Sequence, residues 1–234
     1  MLKMDKVAFK YEKTSRNVLN NSSADFEQGK LYVIMGKSGA GKSTLLALLS
    51  GLDVCNSGAI LYQGKNLAEI NRNTYRAKNI GVVFQGYNLL LNATAIDNVL
   101  LPMDISRKDI KSKKNTAYDI LKSMGIGKQM ANRKVLKLSG GEQQRVAVAS
   151  AIAHNPDIII ADEPTGNLDA DTEKEIMSIL LALAHEQNKC VIIVTHSKNV
   201  AEYADELRGL AKGNLNFIKE KLKNIEIPNV STPE

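Results

Sequence analysis

The chain has 234 residues, of which 44% are hydrophobic, 24% charged and 5% aromatic, and it carries a formal charge of +6. That is the profile of an ordinary soluble globular protein, with length for one large or two small domains and a sizeable core. The two cysteines, Cys55 and Cys190, have no metal-ligand or disulfide-framework spacing, which fits a reducing compartment, and the lack of Trp speaks against a large aromatic recognition surface.

The lysines cluster only modestly, at 107–114 and 219–223, so the charge excess reads mainly as solvated surface, with an anionic partner as the alternative. The N-terminal ten residues lack an apolar signal core, and no run approaches the ~18 apolar residues of a membrane span. If the protein works at a membrane, another chain supplies the spans.

In chain order, the first 30 residues and residues 58–67 pattern as a small antiparallel sheet. Short β-branched runs predict strands at 30–35, 79–84, 157–161 and 190–195. The last two are nearly continuous apolar runs, as expected for strands covered on both faces. Helices are predicted at 42–51, 107–124, 141–154, 171–187 and 197–205. Alternating strands and helices indicate an α/β fold. Between about 86 and 155 helical patterns dominate, which reads as a helical insertion, and residues 219–234 read as a polar C-terminal tail behind a single domain at 1–218.

The run Gly36-Lys37-Ser38-Gly39-Ala40-Gly41-Lys42-Ser43-Thr44 follows a predicted strand and opens a predicted helix. This is the phosphate-binding loop pattern in its required context. Glycines let backbone N–H groups turn around an anion, and the helix N-terminus adds a positive dipole and free donors. Lys42 is expected to reach the β- and γ-phosphates, and the Ser43 hydroxyl to ligate Mg²⁺. Asp162 and Glu163 end the strand at 157–161. Adjacent strand residues point to opposite sides, so the two carboxylates are expected to do different jobs: Asp162 holds Mg²⁺ and Glu163 polarises the attacking water. Residues 138–149 read LSGGEQQRVAVA, with Ser139-Gly140-Gly141 at the head of a helix despite the cost of two glycines there.

The loop at 36–44, the LSGGE stretch and the run IIIADEPTGNLD at 158–169 together resemble the ATP-binding-cassette (ABC) ATPase family, over roughly residues 2–215. The resemblance implies a P-loop, RecA-like core with a small antiparallel β subdomain and a helical insertion. It gives the glycines a purpose: Ser139, Gly140 and Gly141 resemble the signature that closes on the γ-phosphate of ATP held by a second subunit. ATP and Mg²⁺ are the implied cofactors, and a homodimer joined head to tail is the implied ATP-bound state. Gln85 resembles the glutamine that contacts Mg²⁺ and the attacking water. His196 resembles the switch histidine, Asp169 the aspartate at the dimer seam (or simply a helix cap), and Tyr11 the aromatic that stacks on adenine. His154 and His185 match no motif and read as structural or surface residues.

Ser150 and Ser197 depart from close relatives, which tend to carry Arg and Asp there; this concerns packing and coupling rather than phosphate contact. The stretches at 164–169, 50–53 and 87–103 resemble the macrolide-exporter, lipoprotein-release and antimicrobial-peptide-resistance branch, which also holds a cell-division ATPase. That branch implies a separate integral membrane permease, a peripheral position at the cytoplasmic face of the cell membrane, and no nucleic acid partner. Leu89, Leu90, Leu91, Val99 and Leu101 are the expected permease contact, or else the insertion's own core. The competing readings are a nucleotide-driven clamp on another envelope protein and a cassette acting on a soluble partner such as the ribosome or DNA.

Overall fold

The computed structural model describes residues 1–12, 14, 17–166 and 168–220. Two strands open the chain, β1 (Leu2–Phe9) and β2 (Leu19–Phe26), followed by β3 (Leu31–Met35) and helix α1 (Lys42–Leu49). Next come β4 (Ser57–Tyr62), β5 (Lys65–Asn66), α2 (Arg72–Asn79) and β6 (Ile80–Val83). A helical stretch follows: α3 (Ala95–Ser106), α4 (Lys113–Ser123), the short α5 (Lys128–Ala131) and α6 (Gly140–Ile152). The chain then runs through β7 (Ile158–Asp162), α7 (Ala170–His185), β8 (Cys190–Thr195), α8 (Lys198–Glu202), β9 (Glu206–Ala211) and β10 (Asn214–Glu220).

The strands form a four-stranded antiparallel sheet, β2-β1-β4-β5, and a six-stranded sheet, β10-β9-β3-β8-β7-β6. In the larger sheet β9, β3, β8, β7 and β6 are parallel and β10 closes the edge as a hairpin. Alternation sorts its residues into two cores. Leu31, Val33, Ile159, Ala161, Val191 and Ile193 pack under α3, α6 and α7, while Tyr32, Ile34, Ile158, Ile160, Ile192 and Val194 pack against α1 and the small sheet. Both faces are covered, which is why these strands are continuously apolar. Gly81 permits a close approach: a Cβ there would lie 2.2 Å from the carbonyl oxygen of Ala151 at the end of α6.

Register places the site. Met35 pairs with Thr195, and Asp162 pairs with Val194. The carboxyl ends of β3, β7 and β8 are therefore level, and the loops that follow them emerge side by side, where ligands bind in parallel α/β sheets.

Several predicted elements shift. The helix expected at 107–124 starts at Lys113, because Arg107 caps α3 with φ 51° and Ser112 has φ 50°, both left-handed and incompatible with a continuing helix. Residues 95–106 are instead helical, opened by a capping box between Thr94 and Asp97. Val99 is buried in the core, so it is not part of an exposed contact, whereas Leu90, Leu91 and Leu101 are exposed. β10 runs to Glu220, two residues into the expected tail; residues 221–234 lie outside the described residues.

The two departures have local work. The Ser150 hydroxyl donates to the Asn98 carbonyl at 2.9 Å, joining α6 to α3. The Ser197 hydroxyl caps α8 by accepting from the Val200 N–H. His185, exposed at the end of α7, sits 2.7 Å from the Asp205 carboxylate.

His154 is buried, its Nε2 donating to the Ile80 carbonyl at 3.0 Å and its Nδ1 without a hydrogen-bond partner among the described residues. Burial holds its pKa down to about 4 against an ordinary 6.5, aided by Lys108 and Lys189 and opposed by the Ile80 carbonyl. Above pH 6.5 the residue is neutral folded or unfolded and adds no pH dependence. As pH falls below that value the unfolded chain takes the proton first, so stability drops until the folded ring protonates near pH 4. Denaturant unfolding at pH 7 and pH 5 should show the parent losing about 2 kcal/mol more than His154→Gln. Equal losses would mean that the ring is not kept neutral by burial.

Candidate functional site

The loop after β3 is shaped by glycine where no other residue fits. A Cβ at Gly36 would meet the Leu210 carbonyl at 2.8 Å, and Gly41, with φ 102°, would press one against Val18 at 2.9 Å. Gly41 is also the N-cap of α1 and has no side chain with which to cap it. The first turn of α1 carries no acidic residue, so its donors and dipole are open to an anion. The Lys42 ammonium folds back across the loop, donating to the carbonyls of Gly36 at 2.9 Å and Lys37 at 3.3 Å. It also lies 3.9 Å from Glu163 Oε1.

Ser43 and Asp162 line the same cleft. Burial raises the Asp162 carboxyl above its ordinary range, the nearby Glu163 raises it further, and Lys42 and Ser43 pull it back. The expected divergence of Asp162 and Glu163 does not occur. β7 ends at Asp162, and Glu163 has φ 46°, so strand alternation stops and both carboxylates line the same cleft. A left-handed glutamate costs on the order of 1 kcal/mol or more and persists because the surroundings fix it. Its N–H donates to the Val194 carbonyl at 2.8 Å. Its buried carboxylate accepts from Thr195 Oγ1 at 2.7 Å and from the His196 N–H at 3.3 Å on Oε2, and from His196 Nδ1 at 2.7 Å on Oε1.

The cleft encloses about 690 Å³ and brings together Tyr11, Lys37, Ser38, Gly39, Gly41, Lys42, Ser43, Thr44, Gln85, Asp162, Glu163 and His196. Gly36 and Ala40 belong to the same loop but do not line the cleft. The half-exposed Tyr11 ring stands at the cleft, edge-on to Phe9, with its hydroxyl 2.8 Å from Thr44 Oγ1. Two contributors escaped the sequence reading. Val18 lines the cleft, and Thr195 holds Glu163.

Ser139, Gly140, Gly141 and Asp169 do not line this cleft. Ser139 caps α6 through a capping box: its hydroxyl accepts from the Glu142 N–H, and its own N–H donates to the Glu142 carboxylate at 2.7 Å. Gly141 has a packing reason as well, since a Cβ there would lie 3.0 Å from Thr172 Cγ2. Asp169 caps α7, accepting from the N–H groups of Asp171 and Thr172 and from the Thr172 hydroxyl, bonds that hold its carboxyl below the usual range.

Residues 19–166 match the family model described as ABC transporter. The chain belongs to the ABC transporter family. An uncharacterized ABC transporter ATP-binding protein, YclH of Bacillus subtilis, is 42% identical over 95% of this chain and 98% of its own length. The lipoprotein-releasing system ATP-binding protein LolD of Rickettsia felis is 40% identical over 88% of this chain and 91% of its own. Among solved structures, a cassette named MJ0796 in a dimeric post-hydrolysis state bound to ADP and Pi superposes with a TM-score of 0.86 at 35% identity, covering 96% of this chain and 100% of that one. This ABC protein has the α/β cassette fold expected from its sequence and is an ATP-binding, ATP-hydrolysing subunit.

Proposed function

We propose that this ABC ATPase works as a peripheral subunit at the cytoplasmic face of a cell membrane, closing head to tail with a second copy around two MgATP to drive a separate integral membrane permease. The observation that carries the catalytic half is the convergence of Lys42, Asp162, Glu163 and His196 on one cleft at the strand ends. Lys42 binds the β- and γ-phosphates once it leaves the loop carbonyls it now bonds, Glu163 polarises the attacking water, and His196 contacts the γ-phosphate. Tyr11 offers its exposed ring to adenine, and Asp169 stands at the seam. Ser139, Gly140 and Gly141 sit outside the cleft, which suits donors presented to a nucleotide held by the partner copy.

The oxygen donors suit a magnesium ion. The described residues contain no cluster of three or more His, Cys, Asp or Glu that could hold a metal unaided, and Mg²⁺ characteristically combines a few protein oxygens, no more than one or two of them carboxylates, with phosphate and water. Ser43, Asp162 and Gln85 are those donors. The ion supplies neutralisation of phosphate charge.

A permease partner is supported by the helical insertion. Leu90, Leu91, Leu101, Ile105 and Leu136 are exposed there. Beside them a groove of about 210 Å³ is lined by Phe84, Tyr87, Leu89, Pro102 and Ile105, immediately next to Gln85 in the chain. No helix among the described residues is long and apolar enough to cross a membrane. The likeness to LolD supports the lipoprotein-release, macrolide-exporter and peptide-resistance branch. Tagged Glu163→Gln protein, incubated with ATP and detergent-solubilised native membranes, should co-purify a stoichiometric protein with several membrane spans, identified by mass spectrometry. A soluble complex, or an envelope protein with no transport pathway, would replace the transporter reading with the clamp.

A further inference from the structure

Thr195 closes β8, a strand whose other residues, Cys190–Val194, are all buried and apolar. Thr195 is itself 1% exposed. A hydroxyl buried in such surroundings without a partner is strongly destabilising, so the bonds it makes decide why it is tolerated. There are two. Its Oγ1 accepts from the Ser197 N–H at 3.0 Å, and it donates to Glu163 Oε2 at 2.7 Å. The first bond fixes the second: with a backbone donor on one side of the oxygen, the hydroxyl proton is directed to the carboxylate. Thr195 is also β-branched and therefore stiff at χ1.

The two oxygens of Glu163 have unlike partners. Oε2 is held by Thr195 Oγ1 and the His196 N–H, both set by the backbone at the end of β8. Oε1 faces the cleft, with the Lys42 ammonium and the largely exposed His196 ring, two side chains that can exchange one partner for another. The terminal torsion of a glutamate is broad and roughly two-fold, so an unanchored carboxylate can present either oxygen at many angles.

We propose that Thr195 is a positioning residue for ATP hydrolysis, holding Glu163 Oε2 so that Oε1 keeps a fixed aim into the cleft when Lys42 and His196 turn to the nucleotide. The proposal rests on the assignment of Glu163 as the residue that polarises water.

Thr195→Val keeps volume and branching and removes the donor. Steady-state ATPase assays should show kcat falling on the order of 10- to 100-fold, the scale of a lost hydrogen bond to a charged group, with the KM for ATP within about two-fold. Thr195→Ala, which leaves room instead of a buried methyl, should show the same split if the Val variant is poorly folded. Thr195→Ser restores the hydroxyl and should recover most of the loss. Added to Glu163→Gln, Thr195→Val should cause almost no further loss, because residues acting as a unit are not additive. A parent-like kcat in Thr195→Val, a Ser variant as impaired as the Val variant, or additive losses in the double variant would each overturn the positioning role. Parent-like turnover in Glu163→Gln alone would instead overturn the assignment of Glu163.

Discussion

Glu163→Gln is expected to lower ATP turnover by roughly 10²–10⁴-fold, the usual contribution of a positioned base, while leaving nucleotide binding intact. The substitution is nearly isosteric. The remaining amide oxygen can still accept from Thr195 Oγ1, so the side chain keeps its anchor. What is lost is the charge that faces Lys42 and His196 and that would draw a proton from water. Folding should not suffer, since two carboxylates crowd this strand end and Glu163 is one cause of the raised Asp162 pKa. With binding intact and chemistry removed, the closed state should accumulate, because ATP favours the dimer and nothing then dissolves it. Gel filtration of the variant with MgATP should show a dimer-sized species that the parent loses as it hydrolyses. A monomer-sized profile together with full ATP binding would contradict closure around the nucleotide.

The parts of this site that were legible in the sequence are the local ones. Residues 36–44 carry their reason within nine positions, because a backbone cradle needs glycine at the turns and a lysine at the helix start. β3, β7 and β8 were placed to within a residue, since strands buried on both faces leave long apolar runs. Pairwise geometry was not legible. The aim of Glu163 depends on a left-handed φ that no residue type announces, and an alternation argument gave the wrong orientation. Thr195 reads as an ordinary strand former until the carboxylate beside it is seen. α2 was missed because it is polar, with Tyr75 its single buried residue, and α3 because Pro102 lies inside it. The β9–β10 hairpin escaped because only Leu207, Leu210 and Leu215 among its apolar residues are buried, and because β9 is held by pairing with the distant β3.

The glycine pair at the head of α6 is tested most directly by Ser139→Arg. Ser139 is exposed and absent from the cleft, so a monomer carrying this change should bind ATP as the parent does. The arginine places a long cation where the reading requires bare backbone and a small hydroxyl to meet phosphate. Steady-state ATPase activity should fall on the order of 10²-fold or more, comparable to the loss of a donor aimed at developing charge. The change also removes an N-cap, worth about 1 kcal/mol, so a second variant separates the two effects. Ser139→Asn keeps a capping oxygen for the Glu142 N–H and adds far less bulk. If the site serves a nucleotide held by the partner copy, the Asn variant should retain much more activity than the Arg variant at similar melting temperature. Equal and modest losses in both would reduce the role of Ser139 to capping α6, and parent-like rates in Ser139→Arg would remove the second half-site from the mechanism.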